Sequence, residues 1–235
     1  MSIAVVSGYW CLEKHKYDMD FYNKLFPRTL SVYKNVPLIM FCDEDSQGLV
    51  QPYCPDHTKY IHRSISEFEV QNYPKIQDIK LDETHVPSRE LGMIWLEKIH
   101  MVKYAKDTTD YQWYCWSDAG NAYLREHLCE GNIKAINLTS GKFYFTISER
   151  RTARQFDIKK GEHCIAGTSW IIHHNDIDRF LLLFQQYYII VKDEVDNDYP
   201  SLSDKVVWSR MLIDNPDMFQ CVGLGYGNII NLIIT

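Results

Sequence analysis

The chain has 235 residues, 46% of them apolar and 24% charged, with 31 acidic against 25 basic side chains and a net charge of −6. That length suits one α/β domain over 1–235, burying roughly 70–75% of the surface its unfolded chain exposes, so folding requires neither disulfides nor a metal. The acidic balance, without a basic stripe, argues against a nucleic-acid partner; no apolar run approaches about 18 residues, so no transmembrane segment is expected.

Residues 1–10 have no basic n-region and no long apolar stretch, which predicts no signal peptide. Ile3-Ala4-Val5-Val6-Ser7-Gly8 is a β-prone run ending in small residues, the pattern of a buried parallel strand. Met19 to Tyr33 carries Phe21, Leu25, Leu30 and Val32 and predicts a helix broken near Pro27. Val36 to Cys42 predicts a second buried strand, closed by an acidic turn, Asp43-Glu44-Asp45; Thr58 to Arg63 predicts a shorter third. This order argues for a parallel sheet with right-handed crossovers. Residues 64–88 are polar and include Pro74 and Pro87. They predict a long stretch of loop and short helix, of the kind that often serves as a lid.

Glu90 to Lys106 is the clearest helix, with Leu91, Ile94, Trp95, Ile99, Val102 and Ala105 at helical spacing behind a Ser88 N-cap. The strand Gln112 to Trp116 runs straight into Ser117-Asp118-Ala119-Gly120-Asn121. Lys142 to Ile147 and Cys164 to His173 predict two further strands. Asn175 or Asp176 caps a helix through Tyr188, Ser203-Asp204 opens another from Lys205 to Ile213, and Phe219 to Leu224 is a last short strand.

Seven cysteines, an odd number without a C-x-x-C pair, several in apolar runs, read as buried thiols of a reducing compartment. With no leader or anchor, the expectation is a cytoplasmic protein in which the sequon Asn137-Leu138-Thr139 is fortuitous. Aromatic residues make up 14% of the chain, a surplus that suits a carbohydrate or nucleotide site as well as an aromatic core. No G-x-G-x-x-G follows the first strand, and neither a P-loop nor a G-x-S-x-G elbow occurs. Dinucleotide, P-loop and nucleophile-elbow enzymes are therefore not supported.

The most informative element is the strand that delivers Asp118. In parallel α/β sheets ligands sit beyond the carboxyl ends of the strands, so a carboxylate in the turn after such a strand is aimed at a ligand. The small Ala119 and Gly120 allow a diphosphate or metal close to the backbone. A carboxylate there can hold a divalent cation that bridges sugar-nucleotide phosphates, or it can simply cap its turn.

The run Trp95 to Ala105, followed by Tyr111 to Gly120 with its Trp116-Ser117-Asp118-Ala119-Gly120, resembles the central signature of the HtrL/YibB (WlaTC-like) family. Members carry a helix with a Lys, then an aromatic strand ending in Trp-x-Asp-x-Gly. Val5 to Trp10, Ile165 to Thr168, and Leu202 to Trp208 followed by Asn215-Pro216 resemble further family segments in the same order, with Lys205 where a Gln is usual. The resemblance implies a GT-A-like α/β domain with a central mixed, mostly parallel sheet. It also implies a glycosyltransferase that moves a sugar from a UDP- or GDP-sugar donor to a hydroxyl of a glycan or other acceptor.

The resemblance further implies roles for particular residues. Asp118 takes the place of the Asp-x-Asp metal motif, with Mn2+ or Mg2+ as the expected cofactor; Gly120 stands at the second acidic position, so that either Asn121 contributes a carbonyl oxygen or another loop supplies the missing ligand. Lys98 neutralises phosphate charge or is exposed. Asp43 faces the nucleoside or is a loop residue. Ser7, Gly8, Tyr9 and Gly167 complete the donor site. Asp204 is the candidate catalytic carboxylate, the general base for the acceptor hydroxyl in an inverting transferase or the carboxylate on the opposite sugar face in a retaining one, against the alternative of a helix N-terminus. Glu149, with Arg150, lines the acceptor cleft; the Arg150, Arg151, Arg154 cluster pairs with a phosphate or is a solvated surface. His173 and His174, adjacent on a strand, point to opposite faces and do not share one ion. The glycine-rich Gly223 to Gly227 reads as a loop closing over the nucleotide. Two other readings stand beside the transferase: a non-catalytic nucleotide- or sugar-binding protein on the same fold, and a metal-dependent nucleotidyltransferase or phosphohydrolase.

Overall fold

Strand alternation builds two cores on one sheet. In β1 (Ile3–Gly8) the adjacent Val5 and Val6 point to opposite faces and join different apolar clusters. The same division runs through β2 (Leu38–Cys42), where Ile39 and Phe41 enter one cluster and Leu38, Met40 and Cys42 the other. The structure is a computed structural model that describes residues 2–83, 86–121, 137–148, 156–195 and 203–233.

The remaining strands are β3 (Lys59–His62), β4 (Trp113–Ser117), β5 (Phe143–Ile147), β6 (Ile165–His173) and β7 (Phe219–Leu224). They form one sheet in the order β3-β2-β1-β4-β6-β5-β7. Among the described strands only β6 runs against the others, antiparallel to β4 and β5; the remaining pairings are parallel. One face is covered by α3 (Arg89–Thr108), α4 (Ile177–Glu194) and α5 (Asp204–Asp214), whose buried side chains share a cluster with Trp116, Phe143 and Trp170. The other face is covered by α1 (Met19–Leu30), α2 (Glu44–Val50) and a 3-10 turn at Asn228–Leu232. This is the α/β architecture expected from the sequence, a mixed, mostly parallel sheet flanked by helices.

Local structure departs from the sequence-based expectation at four places. Pro27 does not break its helix; α1 continues through it to Leu30. One missing N–H is tolerated because Leu25, Phe26, Thr29 and Leu30 on both sides of it are buried. The acidic segment after β2 is not a turn but the start of α2, with Asp43 as N-cap accepting a 2.8 Å hydrogen bond from the Ser46 N–H. α4 continues six residues past Tyr188, to Glu194, with Val191 buried.

The fourth is the segment after β3, which is packed rather than free to act as a lid. It holds three short 3-10 helices and buries Phe68, Val70, Tyr73, Ile76 and Ile79. Glu97 of α3, fully buried, accepts 3.1 Å hydrogen bonds from the N–H groups of Glu69 and Val70 and lies 3.5 Å from Arg63. Among the described residues no helix is long and apolar enough to cross a membrane.

Candidate active site

A cavity of about 420 Å3 opens at the carboxyl ends of β1 and β4, beside the start of β6 and the N-terminus of α5. Its size is that of an ordinary small-molecule site. The sheet dictates the place: β6 runs antiparallel, so its first residues lie at the edge where β4 ends. The Asp118 N–H donates to the Thr168 carbonyl at 2.8 Å, locking the turn after β4 to Gly167-Thr168.

The charged centre is a lysine held between two carboxylates. Lys98 lies on the buried stripe of α3 with Ile94, Met101, Val102 and Ala105, and is only 3% exposed. Its Nζ is 2.9 Å from Asp118 Oδ1 and 3.3 Å from Asp204 Oδ2, and donates to the Gly167 carbonyl at 3.0 Å. The ammonium thus faces three oxygens. Asp118 Oδ1 also accepts from Trp116 Nε1 at 2.6 Å, which fixes its rotamer. Asp204 opens α5, yet its carboxylate turns inward, 2% exposed, and its Oδ2 lacks a hydrogen bond of good geometry.

Electrostatics follow from this packing. Burial opposes charge on Lys98, but Asp118 and Asp204 together outweigh it and hold the ammonium above the ordinary lysine value. Burial pushes the Asp204 carboxyl up, against the pull of Lys98, and the neighbouring Asp118 pushes it further. Two carboxylates sharing one ammonium leave one of them raised. Lys205, beside them, is lowered to about 8 by desolvation and by Lys98 and Lys16, against the opposing pull of Asp204.

Glycines matter here for their missing side chains. A Cβ on Gly167 would lie 2.4 Å from Lys205 Cγ and 2.9 Å from Asp204 Oδ2, so the close approach of α5 requires glycine. A Cβ on Gly227, at φ +73°, would meet Asn121 Oδ1 at 2.4 Å. The C-terminal loop therefore seats on Asn121, and Tyr226 reaches the cavity wall.

Of the residues singled out in the sequence, Gly8, Tyr9, Lys98, Asp118, Gly120, Asn121, Gly167 and Asp204 converge on this cavity. The exposed alternative for Lys98 is overturned by its burial. Ser7 does not reach the cavity: it is fully buried in β1, paired with Met40, and its Oγ lacks a hydrogen-bond partner. Asp43 is likewise not among the lining residues and is occupied as the α2 cap. Glu149 and Arg150, Arg151 and Arg154 lie outside the described residues. His173 accepts a hydrogen bond from the Asn175 N–H, at the opposite end of β6 from Gly167.

Sequence reasoning missed the loop after β1. His15, Lys16 and Tyr17 line the cavity with Tyr22 of α1 and Trp95 of α3. The Tyr9 and His15 rings stack at 5.6 Å and 4°, with Tyr22 edge-on to Tyr9. His15 Nε2 accepts from the Leu12 N–H, and burial holds its pKa below the ordinary histidine value. Tyr22 is pushed up to about 12 by burial and by Asp118. The available signal was position alone, since the first strand of a parallel sheet delivers its following loop to the ligand edge.

The donor set fits a divalent metal poorly. Asp118 Oδ1 already accepts from Lys98 and Trp116. Asn121 turns inward, its Nδ2 donating to Ser117 Oγ at 3.2 Å and its Oδ1 buried without a partner. Position 120 offers no side chain, and among the described residues no three His, Cys, Asp or Glu are grouped to hold an ion.

No family model matches the chain, and no curated protein matches it. Among solved structures it is similar to 4-diphosphocytidyl-2C-methyl-D-erythritol synthase from Anaerococcus prevotii, at 11% identity and a TM-score of 0.43 over 97% of this chain and 88% of that one. A glycosyltransferase involved in glycosylation of the major capsid of PBCV-1 matches at 10% identity and 0.39, over 95% and 82%. Core-mannan synthase A from Aspergillus fumigatus, in a Mn/GDP form, matches at 11% identity and 0.47, over 94% and 72%. At these values the likenesses carry no argument about the site.

Proposed function

We propose that the protein transfers a sugar from a nucleotide-sugar donor to a hydroxyl of a glycan or other acceptor. One observation carries the reading: three lysines, Lys16, Lys98 and Lys205, and two carboxylates, Asp118 and Asp204, line one aromatic-walled cavity at the carboxyl edge of the sheet. Among the described lining residues the lysines outnumber the carboxylates, which gives that lining a positive excess in a chain of net charge −6. A diphosphate is complementary to that excess, and the partly exposed rings of Tyr22 and Trp95 offer flat surface to a base or sugar. The resemblance of the Trp116 to Gly120 segment to the HtrL/YibB family agrees with this reading.

In the proposed reaction Asp204 takes the proton of the acceptor hydroxyl. The acceptor oxygen bonds to the anomeric carbon, the bond from that carbon to the diphosphate oxygen breaks, and nucleoside diphosphate leaves with the electron pair. Lys205 and Lys16 receive the charge that develops on the leaving group. Asp118, 28% exposed at its side chain, accepts hydrogen bonds from donor-sugar hydroxyls. Lys98 touches no substrate in this scheme; it positions both carboxylates.

The test is donor turnover with a panel of UDP- and GDP-sugars, with product analysis. Release of nucleoside diphosphate, lost in Asp204→Asn with folding retained, supports the transferase. Release of pyrophosphate would indicate nucleotidyl transfer instead. Binding without turnover in wild type would identify a non-catalytic binder.

A further inference from the structure

We propose that this site binds and uses its nucleoside-diphosphate ligand without a divalent cation, because the Lys98 ammonium occupies the place between the carboxylates that a metal would take. The inference rests on the transferase reading above and concerns how that cavity neutralises phosphate.

A divalent cation in an oxygen site needs several unclaimed oxygens and little competing positive charge. In this cavity the lysines supply that competing charge, and Lys98 stands against Asp118 Oδ1 and Asp204 Oδ2. The two carboxylates that approach one another, Asp118 and Asp204, are bridged by Lys98 at 2.9 and 3.3 Å. The third oxygen within reach of that nitrogen, the Gly167 carbonyl, is taken at 3.0 Å. Lys98 is not a swinging surface group: it is 3% exposed, and its nitrogen also lies 5.7 Å from the Trp116 ring centroid. Lys205 packs on Gly167 next to Asp204. An incoming cation would therefore meet the Lys98 ammonium at the point between the two carboxylates, with the half-buried Lys205 beside it.

The same arrangement suits an anion. Lys98 cancels one carboxylate charge, and Lys205 and Lys16 stand at the cavity wall. Fixed ammonium groups offer point charges to phosphate oxygens, as a metal would, and require no third component. Gly167 is the residue that permits this, since any Cβ there would displace Lys205 and Asp204.

The experiment is calorimetric titration of the intact protein with UDP, GDP, CDP and dTDP, once in EDTA and once in excess Mn2+ or Mg2+, with Mn2+ EPR on the nucleotide-free protein. The expected result is binding of at least one diphosphate in EDTA, changed by less than about threefold on adding either metal, with the aqueous Mn2+ signal undiminished by protein. Tightening of about tenfold or more with metal, binding seen only with metal, or loss of the Mn2+ signal overturns the inference while leaving the transferase reading standing. Binding of no diphosphate under either condition overturns both.

Discussion

Replacing Lys98 with Met removes the ammonium while keeping the length of the stem. Asp204, 2% exposed, then keeps its charge without its nearest cation, while Asp118 at 28% side-chain exposure can recover some water. Breaking a buried ion pair from one side costs about 3–5 kcal/mol. Because Asp118 rehydrates and Lys205 stays near Asp204, the lower end applies, about 3 kcal/mol. For a chain of this size that corresponds to roughly 6–12 °C in Tm. The loss depends on pH in a definite direction. Burial already raises the Asp204 carboxyl, and losing Lys98 raises it further above the unfolded value of about 3.9. A carboxyl raised on folding loses stability as pH climbs from its unfolded through its folded value. The deficit should therefore be full at about pH 8 and shrink toward about pH 5. Thermal unfolding of wild type and Lys98→Met at both pH values measures it. A deficit below about 1 kcal/mol at the higher pH, or one equal at the two, would refute the bridging role assigned to Lys98.

Asp204→Asn should lower transfer by about 10²–10⁴-fold with nucleoside-diphosphate affinity retained, as read by steady-state kinetics and calorimetry; equal losses in both would contradict its role as base. Gly167→Ala should cost about 1–3 kcal/mol, because the new Cβ would meet Lys205 Cγ at 2.4 Å, and chemical denaturation will measure the loss. Desolvation and the lysines nearby, only partly offset by Asp204, lower Lys205 to about 8. Diphosphate affinity should therefore weaken as pH rises through that value, and the dependence should vanish in Lys205→Met. The stability effect has the opposite sign: a lysine lowered on folding costs most at low pH, and that cost is relieved between about 8 and the unfolded value of about 10.4.

Much of the architecture was readable from the chain because strand and helix periods are local. Val5 and Val6 announce a two-sided strand, and Leu91, Ile94, Ile99 and Val102 announce α3. Asp118 was readable for the same reason, since a carboxylate directly after a buried parallel strand must appear at one edge of the sheet. Lys98 was half readable: four residues after Ile94 and four before Val102, it shares their buried face, although lysine there is ordinarily assigned to solvent. Asp43 and Ser7 show the limit. Both sit at or near strand ends, but whether such a residue faces the ligand depends on whether its own backbone claims it, as the α2 N-terminus claims Asp43.

Periodicity and composition alone determined an acidic α/β chain with a carboxylate delivered to the carboxyl edge of its sheet. Only the tertiary structure decided which charges meet there. Lys98, Asp118 and Asp204 lie on α3, the turn after β4 and α5, and 106 positions separate the first from the last. Their pairing depends on β6 running antiparallel and on α5 resting on Gly167. No local pattern encodes the distance between the middle of α3 and the start of α5, because that distance is set by how the helices on one face of the sheet pack together.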